Sequence, residues 1–192
     1  MKKIDLEKVL YKSSVPVSIG GGICDIETVK SFFEMGVEKI VVGSCVNEMF
    51  LKEVSDMFGS QSIIISIDVK KIKEDYIVFI DSATKSTKKS LKEYIEFLDN
   101  YSYAEVLIHS IDNDGKKNGY DIELVNYIKT MTSKPIIAAG GAKNSSSIYE
   151  LFSKTDISAA AAGNFFHFSE HSVLNVKKDL LANGISVREV IC

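Results

Sequence analysis

The sequence lacks three features that would place it in other classes of protein: a long hydrophobic run, a large net charge and a cysteine framework. Its apolar runs are far shorter than a membrane span, and its polar first residues make a secretory signal unexpected. A net charge of −3 gives no broad basic surface for nucleic acid or an anionic membrane. The three cysteines, Cys24, Cys45 and Cys192, have no C-x-x-C spacing. They predict reduced thiols in a cytoplasmic protein, with neither a disulfide framework nor a metal site.

The chain consists instead of short apolar runs that alternate with amphipathic segments. Strands are predicted at residues 15–19, 39–43, 62–67, 105–109, 135–139 and 157–162. Helices are predicted at residues 26–35, 46–58, 90–101, 121–132, 145–154 and 172–183. The alternation indicates an α/β fold, and continuous Val-, Ile- and Ala-rich runs are typical of parallel strands covered on both faces. The absence of a linker or composition break favours a single domain over residues 1–192.

One segment interrupts this alternation. Residues 76–80 form a further short apolar run, which predicts a short strand paired in a hairpin with the residues just before it. The lysines that follow are spread among Ser and Thr and predict a solvated loop: Lys85, Lys88 and Lys89. Ahead of the first predicted helix, Asp25 is a residue type that commonly caps a helix N-terminus.

A glycine pattern occurs twice in the chain. Residues 16–22 read Pro-Val-Ser-Ile-Gly-Gly-Gly and residues 135–141 read Pro-Ile-Ile-Ala-Ala-Gly-Gly, each ahead of a predicted helix. Glycines between a strand and a helix let backbone N–H groups approach an anion, and the helix dipole adds to the attraction. Two such cradles predict a ligand with a phosphate at each end. In a barrel built from two equivalent halves they would share one rim, at the C-terminal ends of the strands.

Two acidic residues and a histidine fall at the same predicted rim. Asp68 ends a β-branched strand and is either a structural cap for the next loop or a general acid or base. His109 also ends a strand, where a hydrogen-bonded structural role competes with a catalytic one. Asp114 lies in an acidic loop that lacks the distant Glu of a calcium-binding loop. His167 and His171 are spaced as a metal pair, but no third ligand is evident, so no metal is expected.

Five segments in matching order and spacing resemble a known family. They read Val-Ser-Ile-Gly-Gly-Gly-Ile at 17–23, Ser-Ile-Asp-Val-Lys at 66–70, Ser-Ile-Asp-Asn-Asp-Gly through Gly-Tyr-Asp at 110–121, Ala-Gly-Gly-Ala at 139–142 and Phe-His-Phe at 166–168. This set is similar to the cyclase subunit of imidazole glycerol phosphate synthase, a (βα)8 TIM barrel of histidine biosynthesis. The resemblance covers essentially the whole chain.

The resemblance implies an ammonia-dependent cyclase and lyase that needs no cofactor. Its substrate is the bisphosphorylated N′-phosphoribulosyl formimino-aminoimidazole carboxamide ribonucleotide. Ammonia from a glutaminase subunit, the partner in a heterodimer, passes through the barrel and attacks this substrate. The products are imidazole glycerol phosphate and an aminoimidazole carboxamide ribotide.

The same resemblance implies a role for individual residues. Asp68 matches one of two catalytic aspartates of the family, and Asp114 matches a supporting loop acid; His109 is a possible substrate contact. Two positions match one phosphate cradle: Gly22 and Ser44. Four match the other: Gly115, Gly141, Gly163 and Asn164. Lys39 and Glu105 match charged residues at the opposite end of the barrel, where ammonia enters.

The chain also departs from the family pattern. It begins where the family's second helix is expected, so about six βα units are predicted, without the first two strands and without the other catalytic aspartate. Such a sheet leaves edges at residues 15–19 and 157–162. Cys24 stands where the family usually has Arg, Gly43 where it often has Asn, and His109 where Thr is usual. Two alternatives therefore remain: a paralogue that takes part in the amidination of bacterial surface sugars, and a truncated, non-catalytic protein that binds a glutaminase.

Overall fold

The computed structural model describes residues 3–167 and 172–188. Its helices are α1 (Lys3–Lys12), α2 (Ile26–Glu34), α3 (Glu48–Phe58), α4 (Leu91–Leu98), α5 (Ile122–Lys129), α6 (Ser145–Lys154) and α7 (Val173–Ala182). Its strands are β1 (Ser18–Gly20), β2 (Lys39–Val42), β3 (Ile63–Ile72), β4 (Asp75–Ile80), β5 (Lys85–Ser90), β6 (Glu105–Ser110), β7 (Ile136–Ala139) and β8 (Ala159–Ala161). Short 3₁₀ helices span Ser60–Ser62 and Asn164–His167.

Six parallel strands form one curled sheet in the order β1-β2-β3-β6-β7-β8. Each of these strands is followed along the chain by a helix, so the fold is a half-barrel of the TIM-barrel type, as predicted. Within the described residues, β1 pairs only with β2 and β8 only with β7. The expected edges are therefore present, although both edge strands are three residues long and shorter than predicted.

The two faces of the sheet differ in burial. Side chains alternate between the faces, and those on the helix-covered face form the core; Ile40, Ile65 and Ile108 are at most 1% exposed. On the opposite face, the burial pattern of β6 shows that Glu105, Leu107 and His109 are only partly buried. The prediction that the strands are covered on both faces was wrong for this second face, which lines the inside of the curled sheet.

A hairpin extends from the C-terminal end of β3. The predicted pairing is confirmed: β4 runs antiparallel to the end of β3, from Asp68 opposite Phe79 to Ile72 opposite Asp75. This pairing lengthens β3 beyond its predicted end. The prediction of a loop at Lys85, Lys88 and Lys89 was wrong, because they lie in β5, which pairs with β4. Their side chains are exposed, so pairing of the backbone, rather than burial, makes this segment a strand.

Local signals place the helices much as expected. The Asp25 carboxylate accepts a hydrogen bond from the Thr28 amide at 2.8 Å and caps α2, as predicted. Ser90 and Glu93 form a reciprocal capping box at the start of α4. The first helix, α1, was not predicted. Of the helices in the described ranges, none is long and apolar enough to cross a membrane.

Candidate active site

The predicted acid and histidine lie side by side on neighbouring strands. In the parallel register of β3 and β6, Asp68 is opposite His109, and Ile64 is opposite Glu105. Side chains an even number of residues apart along a strand share a face, so His109 lies on the same face of β6 as Glu105. Asp68 is paired with His109, so both side chains point to the inside of the curled sheet. Both follow runs of buried aliphatic residues that fix the strands against the helices, and the site therefore rests on rigid elements.

The His109 ring bridges two carboxylates. Its Nδ1 lies 3.0 Å from Oδ1 of Asp68, and its Nε2 lies 3.6 Å from Oδ2 of Asp114, in the loop after β6. The Asp68 hydrogen bond raises the pKa of His109 above its ordinary value; burial opposes this effect, and the charges of both acids add to it. The structure thus brings together the three residues predicted to carry chemistry. Contact between His109 and a substrate stays a prediction.

A cavity of about 400 Å³ opens beside the cluster of Asp68, His109 and Asp114. Its lining comes from the loop after β6 and from the ends of β7 and β8: Asp114, Gly115, Lys117, Gly140, Gly141, Ala142, Ala161, Ala162, Gly163, Asn164 and Phe165. All four residues predicted for the second phosphate cradle are among them. Small residues dominate the wall, so the backbone is accessible to a ligand, and the volume is that of a small-molecule site.

Close backbone contacts shape this cavity. The Gly119 amide donates to the Gly141 carbonyl at 2.9 Å, and the Asn113 side chain donates to the Gly119 carbonyl at 3.2 Å. Gly141 has φ +99°, and a Cβ there would overlap the carbonyl oxygen of Gly119. Only glycine therefore permits the loop after β6 to close against the end of β7.

The first predicted cradle has a different setting. Gly22 and Ser44 follow β1 and β2 and are not part of the cavity lining. Gly22 has φ +71°, but a Cβ at this position would contact no heavy atom within 4 Å. The Ser44 hydroxyl accepts a hydrogen bond from the backbone N–H of Asp81, in the turn between β4 and β5, at 2.7 Å. The hairpin therefore reaches over the first cradle.

A disulfide joins the two loops of the first cradle. Cys24 and Cys45 are bonded, with a Cα–Cα distance of 5.3 Å. The expectation of reduced thiols was wrong for this pair. Spacing along the sequence did not reveal the pairing, because parallel β1 and β2 bring the loops after them together across a separation of 21 residues. The bond holds Gly22 and Ser44 on adjacent loops.

The residues predicted to admit ammonia meet at the opposite end of the sheet. Lys39 begins β2, Glu105 begins β6, and their side chains form an ion pair on the partly buried inner face. Glu105 and His109 are four residues apart on one strand, which corresponds to about 13 Å. A line of partly buried side chains on β6 therefore connects the ion pair with the cluster of Asp68, His109 and Asp114 at the other end of the sheet.

Comparison with known proteins matches the sequence to one family. A family model described as "Histidine biosynthesis protein" matches residues 2–172. The chain belongs to this family. It is 38% identical over 192 residues to imidazole glycerol phosphate synthase subunit HisF of Pelodictyon phaeoclathratiforme, with 97% of the chain and 76% of the relative covered. HisF of Natranaerobius thermophilus is 36% identical over 95% of the chain and 74% of the relative. HisF of a Thermotoga species is 34% identical over 95% of the chain and 73% of the relative.

Sequence reasoning missed two residues that this member of the histidine biosynthesis family uses to build the cavity. The Tyr120 hydroxyl donates to the Ala161 carbonyl at 3.0 Å and ties the loop after β6 to β8. Burial raises the pKa of Tyr120 to about 12, so the hydroxyl keeps its proton at neutral pH. Lys117 supplies a cationic residue to the wall. Tyr120 follows a glycine in the motif at 110–121, which is the signal that could have found it.

The part of the chain that the structure describes holds no group of three His, Cys, Asp or Glu residues arranged for a metal ion. His167 ends the 3₁₀ helix Asn164–His167. His171, its partner in the predicted spacing, and Phe168, from the motif at 166–168, lie outside the described residues.

Proposed function

We propose that this protein is the ammonia-dependent cyclase of imidazole glycerol phosphate synthesis. In this reaction the bisphosphorylated ribulosyl formimino-aminoimidazole carboxamide ribonucleotide reacts with ammonia to give imidazole glycerol phosphate and aminoimidazole carboxamide ribotide. The single observation that carries the proposal is the placement of Asp68 and Asp114 beside a glycine-lined cavity, in a chain whose relatives are HisF subunits. No cofactor is part of the proposal.

Each part of the site has a task in this reaction. Asp68, on a rigid strand end, is proposed as the general acid or base for the proton transfers that accompany ammonia attack. Asp114 supports it from the neighbouring loop. The second cradle binds one phosphate through backbone N–H groups at Gly141 and Gly163, with Gly115 and Asn164 completing the wall. Gly22 and Ser44 bind the other phosphate.

The inner face of the sheet is proposed to bring ammonia to this site. The Lys39–Glu105 ion pair marks the end where ammonia enters, and the line of small and aliphatic side chains beyond it admits a neutral molecule more readily than an ion. The partner would be a glutaminase subunit that docks at this end and forms a heterodimer. The relatives are named as subunits, which supports a multi-chain assembly.

Two further features belong to the same proposal. A single domain over residues 1–192 is one of them, supported by the one sheet and one buried core that extend through the described elements. The protein is cytoplasmic, where its phosphorylated substrate would be made and consumed.

Replacement of the proposed acid or base tests this function. Asp68→Asn should lower kcat/KM with ammonium salt as the nitrogen source by about 1,000-fold or more, because the amide cannot exchange a proton. Steady-state measurement of imidazole glycerol phosphate formation provides the readout. Asp56→Asn is the matched control, since this exposed carboxylate on α3 makes only a surface pair with Lys52.

Two outcomes would contradict the proposal. A wild-type chain that binds the substrate but gives no turnover with ammonium would favour the non-catalytic protein that binds a glutaminase. Amidination of a bacterial surface sugar, with no imidazole glycerol phosphate formed, would favour the paralogue.

A further inference from the structure

Both ring nitrogens of His109 face hydrogen-bond acceptors. Nδ1 lies 3.0 Å from an Asp68 oxygen and Nε2 lies 3.6 Å from an Asp114 oxygen. A neutral imidazole has one N–H and one lone pair, so one of its nitrogens would direct a lone pair at a carboxylate. The doubly protonated ring directs an N–H at each carboxylate. The geometry therefore favours the imidazolium form.

The ring is held in place on its other side. A Cβ built on Gly140, at the end of β7, would lie 3.2 Å from Cδ2 of His109, so backbone packs against the ring edge. The charged groups that face the ring are Asp68 from β3 and Asp114 from the loop after β6. The side chain of His109 is 28% exposed and that of Asp114 is 63% exposed. The bridge thus joins a rigid strand end to an exposed loop.

The position of Asp114 raises an electrostatic problem. Its carboxylate is part of the wall of the cavity that we assign to a phosphate, and a negative charge there repels an anion. A cation within 4 Å of the carboxylate offsets that repulsion without occupying the cavity. His109 is placed to supply it.

We propose that the His109 imidazolium is a positioning group that holds Asp114 against Asp68 and offsets its charge, so that protonation of His109 strengthens anion binding in the cavity. This inference rests on the proposed function for the identity of the anion as a substrate phosphate. It assigns His109 a role through the two acids, in addition to the substrate contact expected from its place at the rim.

The proposal predicts the direction in which stability and anion binding change with pH. Since folding raises the pKa of His109, its two ion pairs stabilise the folded protein fully below the unfolded value of about 6.5 and are lost as pH rises through the higher folded value. The ion pair that holds the Asp114 side chain is then lost, and anion binding weakens over the same pH interval.

Titration of the imidazole by NMR tests the bridge without any activity measurement. The pKa of His109 should lie above its ordinary value in the wild-type chain. Asp68→Asn should lower it strongly and Asp114→Asn more weakly, because the second contact is longer and more exposed. The signals of His167 and His171 serve as internal references. A wild-type His109 that titrates at or below its ordinary value, or that neither substitution affects, would overturn the bridge.

Sulfate binding tests the effect of the His109 charge, because sulfate stays a dianion over the pH interval in which His109 loses its proton. Its affinity, followed through the amide signals of Gly141 and Gly163, should fall about three- to tenfold as pH rises through the pKa of His109. In His109→Thr, the affinity should be low at every pH. Adding Asp114→Asn to that variant should restore it, because the repelling charge is then absent.

The control and the contrary results are separate from the proposed function. His167→Gln removes a histidine that is not part of the cavity lining, and it should keep the wild-type sulfate profile. A flat wild-type profile, a His109→Thr profile equal to wild type, or absence of sulfate binding would overturn the inference. Turnover by the wild-type chain with ammonium decides the proposed function independently of these results.

Discussion

The two glycine cradles share a sequence pattern, a proline, a short apolar run and two glycines, but they differ in structure. The second, at the ends of β7 and β8, lines a cavity that the loop after β6 closes. The first, at the ends of β1 and β2, is held by a disulfide between its loops and by the hairpin turn on Ser44. One cradle is therefore formed by close backbone packing, and the other by a covalent bond and a single hydrogen bond.

Glycine is needed at the two matching positions for different reasons. At Gly22 the reason is the positive φ alone, since a Cβ would meet no atom within 4 Å. At Gly141 the reason is the positive φ together with the approach of the Gly119 backbone. A pair of matched substitutions separates the two reasons.

Gly141→Ala should have the largest effect on stability. The left-handed conformation costs about 1–2 kcal/mol and the overlap with Gly119 about 1–3 kcal/mol more, so we expect a loss of about 2–5 kcal/mol. Gly22→Ala should cost only the first amount, about 1–2 kcal/mol. Urea denaturation of both variants gives the free energies of unfolding.

Equal losses for the two variants would contradict this comparison. They would mean that the loop after β6 yields to a methyl group at little cost, and that the cavity wall at Gly141 is as open as the first cradle. Amide signals of Gly119 and Tyr120 report directly on whether this loop moves.

The sequence predicted the parallel sheet well, for a physical reason. Parallel strands that alternate with helices bring all their C-terminal ends to one edge, so strand-end residues such as Asp68 and Gly141 must lie at the same edge of the sheet. The family resemblance then proposed their roles. Buried aliphatic runs on β3 and β6 are strong local signals, and these elements lie where they were expected.

Sequence reasoning could not reach features that depend on register. The contact of Asp68 with His109 requires that these residues be opposite each other, and the Cys24–Cys45 bond requires that two loops end side by side. Neither follows from spacing along the chain. Strand β5 was missed because its lysines and serines carry no apolar signal, and only the pairing with β4 identifies it.

Removal of the disulfide should have the next largest effect and should act on the first cradle alone. A bond that closes a loop of this length contributes about 3 kcal/mol in the chain-entropy description. The double variant Cys24→Ser with Cys45→Ser should lose about that amount of unfolding free energy under non-reducing conditions. Amide signals around Gly141 should stay unchanged, because the cavity does not use this bond.

Reducing agent provides the control for this prediction. In dithiothreitol the wild-type protein and the double variant should unfold at the same urea concentration, and Cys192→Ser should behave as wild type throughout. The proposed cytoplasmic location predicts that the bond is reduced in the cell, where thiols are kept reduced. An unfolding free energy that dithiothreitol does not change would show that the bond contributes nothing to stability.

Replacement of Ser44 should have the smallest effect, and it tests the hydrogen bond that holds the hairpin at the first cradle. The Ser44 oxygen accepts from the Asp81 N–H, which leaves its own proton available for donation to an anion. Ser44→Ala removes both interactions at an exposed position where water can replace the acceptor, so we expect a loss of about 0.5–1 kcal/mol. Hydrogen exchange at the Asp81 amide should become faster, while exchange at Glu93, inside the capping box of α4, should not change. Unchanged exchange at Asp81 would mean that the turn holds itself in place, and that the first cradle is open to its ligand without the hairpin.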